Sequence, residues 1–167
     1  MYVGSLYPHK NVKLILQALP SLTNYKLLIV GSRNIFQDRI KAYIKYKDIE
    51  DRVEFLGFVP DEELAQLYQS VSALVQPSFS EGFGLTGVEA MSFGASILAS
   101  DIPIFKEIYQ DVAYYFSPHS VASFIQAVHA FEQSADDKNK EGIQLAKTYS
   151  WSKMAQETYQ VYTEILK

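Results

Sequence analysis

Short apolar runs alternate along this chain with longer stretches that are apolar on one side only. Tyr2-Val3, Lys26 to Val30, Val53 to Leu56, Ala73 to Gln76, Ser96 to Ala99 and Ala113 to Phe116 are brief and rich in β-branched and aromatic residues, and most end at Gly, Pro or Ser. They predict strands. Between them, Val12, Ile15, Leu16, Leu19 and Leu22 recur at helical spacing, as do Phe36, Ile40, Tyr43 and Ile44. Asp61 after Pro60 reads as an N-cap, with Glu62 and Glu63 where a helix dipole favours acids. Leu85 to Phe93 reads as a short helix. After about Pro118 the strand pattern ends, and Val121 to Phe131, Glu141 to Tyr149 and Ser152 to Leu166 predict three closing helices.

Strand and helix in alternation predict an α/β fold: one doubly wound domain over residues 1–167, with a mainly parallel six-stranded sheet and right-handed crossovers. The chain enters its first strand at Met1 with little slack before it, and so reads as a domain cut from something longer. In such a fold ligands bind outside the carboxyl ends of the strands. The loops there are Gly4 to Asn11, Gly31 to Asn34, Gly57 to Asp61 and Ser78 to Thr86.

Composition narrows the partners. A net charge of -4 argues against nucleic acid, whose phosphates need a concentrated positive field. The absence of cysteine excludes disulfides and thiolate metal sites. No apolar run approaches the roughly 20 residues of a membrane-spanning helix. Lys41, Lys45 and Lys47 read as a solvated helix face rather than a patch for anionic membrane. His119 and His129 have no ligand-like spacing, and no metal site is expected.

The chemistry concentrates in PSFSEGFGLTGVEAMSFG, residues 77–94. Gly82 and Gly84 clear side chains from the loop after a strand, and the amides from about Phe83 to Thr86 open a helix, which suits phosphate. Glu81 and Glu89 stand on either side of that turn, and carboxylates accept well from sugar hydroxyls. A diphosphate flanked by two sugars, as in a nucleotide sugar, fits this layout. A capped glycine turn with Glu89 in solvent is the plainer reading of the same residues.

The stretch EGFGLTGVEA resembles the motif of retaining GT-B glycosyltransferases in which two glutamates are separated by seven residues. YVGSLYPHKN, LLIVGS, DRVEFLGFVPDEELAQLY, SILASDIPIFKEI and the late YSW extend the similarity in the same order over almost the whole chain. The resemblance implies a Rossmann-like, C-terminal, donor-binding domain. It places Glu81 on donor-sugar hydroxyls, Glu89 on ribose hydroxyls, and the backbone of Gly82, Phe83, Gly84 and Leu85 against sugar and diphosphate. Lys10 would pair with the diphosphate, where a fixed cation stabilises a leaving group. Phe58 and Val59 would meet the base. Gly4 and Ser5 line the first loop, where many relatives carry Arg at the position of Ser5, and His9 or Arg33 could supply the missing charge. Thr86 stands where proline is usual; it could donate to phosphate or simply fit.

The implied activity is retaining transfer of a hexose from a nucleotide sugar, such as GDP- or UDP-hexose, to a glycan or lipid-linked acceptor in surface polysaccharide synthesis. The acceptor would be held by an N-terminal domain absent here, and no metal or other cofactor would be needed. Location would be cytoplasmic, with a peripheral position at the inner face of the membrane an option for the full-length protein. A partner-dependent nucleotide-sugar-binding subunit and a sugar-nucleotide epimerase or hydrolase are the alternatives. The apolar positions Trp151, Met154, Tyr159, Tyr162 and Leu166 read as one face of the last helix, some of it available for interdomain contact.

Overall fold

The computed structural model describes residues 1–31, 35–134 and 137–166. Six strands and eight α-helices follow one another in these segments: β1 (Tyr2–Val3), α1 (Val12–Ala18), β2 (Leu27–Val30), α2 (Gln37–Tyr46), β3 (Val53–Gly57), α3 (Asp61–Ser70), β4 (Ala73–Gln76), α4 (Leu85–Ser92), β5 (Ser96–Ser100), α5 (Pro103–Tyr109), β6 (Tyr114–Phe116), α6 (Val121–Gln133), α7 (Asp137–Ala146) and α8 (Trp151–Ile165). All strand pairing is parallel. The expected single six-stranded sheet is instead two three-stranded sheets, ordered β1-β2-β3 and β4-β5-β6. They abut between β1 and β4, where the Met1 nitrogen donates to Ala73 O at 2.7 Å and Val75 N donates to Met1 O at 2.8 Å. β1 is two residues long, too short to carry a full ladder on both of its edges.

The side chains of each strand point alternately to two helical layers, as the period of two requires. Ile29, Val75 and Leu98 join one core with Ile15 and Leu16 of α1, Ile44 of α2, and Phe124 and Val128 of α6. Val30, Leu74, Ile97 and Ala99 join the other with Tyr68 of α3, Met91 of α4, Phe105 and Tyr109 of α5, and Ala146 of α7. Strands covered on both faces must be apolar throughout. β4 and β5 are buried at every position.

Most elements lie where the hydrophobic pattern puts them, with shifts at the ends. The first helical stripe breaks after Ala18 into a 3-10 turn over Leu19–Ser21, because Pro20 cannot continue an α-helix. Asp61 is the first helical residue of α3, with Pro60 before it in the cap position, so its carboxylate acts on the helix dipole and not as a cap. α5 was not expected. Its signals are Pro103 in the first turn and the spacing of buried Phe105, Ile108 and Tyr109. Ser120 and Ser150 cap α6 and α8 by accepting from the Ser123 and Lys153 amides.

Among the described residues no helix is long and apolar enough to cross a membrane. α8 buries none of its residues; Trp151, Tyr159, Tyr162 and Ile165 all face solvent.

Removing the Leu74 side chain, fully enclosed at 0% exposure, should destabilise the fold by about 2–5 kcal/mol through lost burial and a residual cavity. Tyr46→Ala, at 79% exposure, should change stability by less than about 0.5 kcal/mol. Urea titration of both variants, compared at constant slope, checks the contrast.

Candidate functional site

The loops after β1 and β4 meet over the junction of the two sheets, and side-chain and main-chain bonds tie them together. Asn11 takes a left-handed backbone at φ 54° between the first loop and α1. From there its Nδ2 donates to Pro77 O at 3.0 Å and to Pro118 O at 2.9 Å, joining the loops that follow β1, β4 and β6. Phe79 N donates to His9 O at 2.8 Å. Beneath these ties lies a cleft of about 240 Å³, lined by Tyr2, Val3, Gly4, Ser5, Lys10, Gln76, Ser78, Glu81, Gly84, Leu85 and Thr86.

Lys10 and Glu81 form an ion pair across this cleft, with Nζ and Oε1 2.7 Å apart and both side chains mostly buried. Ser78 Oγ donates to the same Oε1 at 2.8 Å. Among the described residues no hydrogen bond reaches Glu81 Oε2, so one carboxylate oxygen is anchored while the other is free to accept. That is a suitable arrangement for gripping a hydroxyl without losing the orientation of the carboxylate.

Opposite Lys10, α4 begins at Leu85 with Gly84 as its cap at φ 95°. Gly87 N makes the first helical bond, to Gly84 O at 2.9 Å, so the Leu85 and Thr86 amides come before it and are available to an anion. The turn is held from below. Tyr109 Oη lies 2.6 Å from Gly84 O and 2.5 Å from Gln76 Oε1, and Gln76 Nε2 donates to Thr86 Oγ1 at 2.9 Å. A Cβ at Gly84 or Gly87 would collide with the Tyr109 hydroxyl, so both glycines are needed for this close approach.

The other expected residues lie outside the cleft lining. Glu89 is on the side of α4 that faces α3, its Oε2 at 3.5 Å from the Tyr68 hydroxyl, the outer limit of a hydrogen bond. Loss of solvent around its carboxyl pushes the Glu89 pKa above the ordinary value; the Tyr68 bond pulls it down and the charge of Asp61 pushes it up. Phe58 is 77% exposed, and Val59 packs on the second core. Gly82 and Phe83 are exposed, Phe83 edge-on to Tyr149 with ring centres 5.6 Å apart. His119 stacks on Phe79 at 5.0 Å, and His129 pairs with Glu132 at 2.8 Å. Arg33 lies outside the described residues.

Four residues important to the site carried little signal in the sequence: Asn11, Gln76, Ser78 and Tyr109. Asn11 and Ser78 lie within recognised motifs but had no role assigned to them, Gln76 directly precedes one, and Tyr109 reaches the glycine turn from the unexpected α5.

Residues 1–148 match the family described as glycosyl transferases group 1. The chain is 33% identical over 97% of its length to O-antigen chain mannosyltransferase B of Escherichia coli, and 34% identical over 80% to O-antigen chain mannosyltransferase RfbU of Salmonella typhimurium. It spans 45% and 38% of those proteins. Among solved structures, sucrose-phosphate synthase of Thermosynechococcus elongatus superposes with a TM-score of 0.90 at 24% identity, covering 99% of this chain and 44% of that one. HepE of Anabaena in complex with UDP superposes with a TM-score of 0.84 at 21% identity, covering 98% and 48%. With the match extending over most of its length, the chain belongs to the group 1 glycosyl transferases and has the α/β architecture of a GT-B domain.

Proposed function

We propose that this chain is the donor-binding half of a retaining glycosyltransferase that moves a hexose from a nucleotide sugar to a glycan or lipid-linked acceptor. The observation that carries the reading is the ion pair of Lys10 with Glu81, set in a cleft against the free amides that open α4. A diphosphate entering the cleft would meet the Lys10 ammonium on one side and the Leu85 and Thr86 amides on the other. On this reading Glu81 Oε2 would accept from hydroxyls of the donor sugar and Glu89 from those of the ribose, with the base toward Phe58 and Val59. The names of the relatives support a hexose, mannose in the first place, and surface-polysaccharide synthesis; the UDP complex of HepE supports a nucleoside diphosphate.

In the transfer the anomeric carbon–oxygen bond to the diphosphate breaks and its electrons pass to the leaving phosphate. Lys10 and the helix amides would stabilise that growing charge, and with these groups in place a metal is not required. The acceptor hydroxyl would attack from the face the diphosphate leaves, retaining the configuration. Its proton would pass to the departing phosphate oxygen on that same face, and its positioning would fall to a second domain, for which the length of the relatives leaves room. Orientation of donor against acceptor supplies much of the rate in such reactions. The isolated chain is therefore expected to bind donor and to transfer no sugar; measurable transfer by the purified chain to added glycan would overturn that part of the reading.

Titration calorimetry separates the two glutamates. Glu89→Ala should weaken UDP or GDP and the intact donor alike, whereas Glu81→Ala should weaken the sugar-bearing donor and spare the bare nucleotide. Equal losses on both ligands for both variants would contradict the assignment. A melting-temperature panel of UDP, GDP and ADP with their sugars identifies the base, since a ligand that binds only the folded state raises the midpoint.

The pH dependence follows from Glu89. Its raised pKa means that the carboxylate is lost by protonation at a higher pH than for an exposed glutamate, and a protonated acid is a poorer acceptor for ribose hydroxyls. Nucleotide affinity should fall as pH is lowered, with a midpoint above the ordinary carboxylate range, and this step should vanish in Glu89→Gln. Persistence of the step in that variant would assign it to another group.

A further inference from the structure

At the amino ends of the strands, away from the cleft, a groove of about 540 Å³ lies between β2 and β4 with Met1 in its wall. β2 pairs with β3 from Leu27 onward and β4 with β5 from Ala73 onward, whereas β1 first pairs with β2 at Tyr2, opposite Ile29. Counting back in this parallel register puts Met1 level with Leu28. Its bonds to Ala73 O and Val75 N put it level with Leu74 on the other side. The position before Met1 is therefore level with Leu27 and Ala73, where among the described residues neither strand has a ladder partner on its inner edge.

The groove has the chemistry of a strand position at that level. Tyr2 and Met1 belong to different cores, so the position before Met1 faces the core of Tyr2, as Leu27 and Ala73 do. On that side the groove is lined by Ile15, Leu19, Leu22, Phe124, Val128 and Phe131, all apolar. One step further out, Lys26 and Ser72 are exposed, so the demand for an apolar side chain lasts for one residue. The main chain agrees. Gly4 N donates to Val30 O, and the alternation of a ladder turns the Leu28 N–H to the same edge, toward the level before Met1. The Met1 amine is buried, which pushes its pKa down to about 5. A peptide N–H in its place would keep the bond to Ala73 O with no charge to desolvate.

We propose that this groove seats an extended segment of polypeptide leading into Met1, with an apolar side chain at the position directly before it, and that the segment joins the two sheets at their amino ends. The segment belongs to a longer chain, for which the relatives leave room: this chain spans 45% of O-antigen chain mannosyltransferase B. A strand added between two unpaired edges gains main-chain hydrogen bonds on both sides and buries its inward side chain. It would also lengthen the two-residue strand that leads into the Lys10 loop. The inference does not depend on the nucleotide-sugar reading of the cleft.

Short extensions at the amino end test it. With Lys-Ile placed before Met1, behind a new initiator methionine, the melting midpoint should rise by about 5 °C or more, the effect of burying one large apolar side chain in a domain of this size. Lys-Asp in the same place should give no rise, because it sets a charge against α1 and α6. Ile-Asp, which moves the isoleucine one step out of register, should give none either. Hydrogen exchange followed by NMR reads the main chain: the Leu28 amide should exchange about tenfold or more slowly in the Lys-Ile chain than in the chain that starts at Met1. Equal midpoints for the three extensions overturn the proposal, as does an unchanged Leu28 exchange rate in the Lys-Ile chain. Protection of Leu28 that grows with protein concentration in the chain starting at Met1 also overturns it, since it would seat a second copy in the groove.

Discussion

The parting of β1 from β4 is the constraint on which the site depends. Each of these strands is paired fully on one side only, and Met1 alone bridges them at their amino ends. A continuous ladder would have brought the two carboxyl ends together. Because the bridge stops at Met1, the chains leaving β1 and β4 are free to diverge, and the helices they feed lie on opposite faces of the sheet. The crevice opened by this reversal of winding is where doubly wound folds take their ligands. Asn11 and the Phe79–His9 bond then fix how far apart the two loops can stand.

Within that crevice the charges are balanced before any ligand arrives. Lys10 is held by Glu81 and Glu81 by Ser78, so neither charge is left isolated in partly buried surroundings, where it would be costly. Ser78 holds Glu81 Oε1 independently of Lys10, so the carboxylate has an anchor that does not depend on the ion pair.

Much of the architecture was legible from hydrophobic period alone, because buried parallel strands and one-sided helices leave strong patterns; all six strands lie within a residue or so of their expected bounds. The division of the sheet was not legible. It turns on hydrogen bonds of Met1, and the local pattern of β1 is the same whether or not it pairs on both edges. In the site, the glycine turn and Glu81 announced themselves by residue type and spacing, and Lys10 by the resemblance alone. Tyr109 did not, since a tyrosine on an apolar face looks like core until its hydroxyl is seen against Gly84. Glu89 was readable as a candidate, but its place on the α3 side of α4 depends on the rotation of the helix, which spacing around a turn does not define.

The last helix carries the single tryptophan of the chain, Trp151, at 71% exposure. Because indole emission follows the polarity around the ring, the intrinsic fluorescence of this protein is set by an exposed ring at the start of α8, two residues beyond the Tyr149 that meets Phe83 edge-on. Its emission would start near that of a solvated indole and change little on unfolding. A blue shift would instead signal that something had covered α8, which makes this residue a built-in optical probe of whatever the outer helix meets.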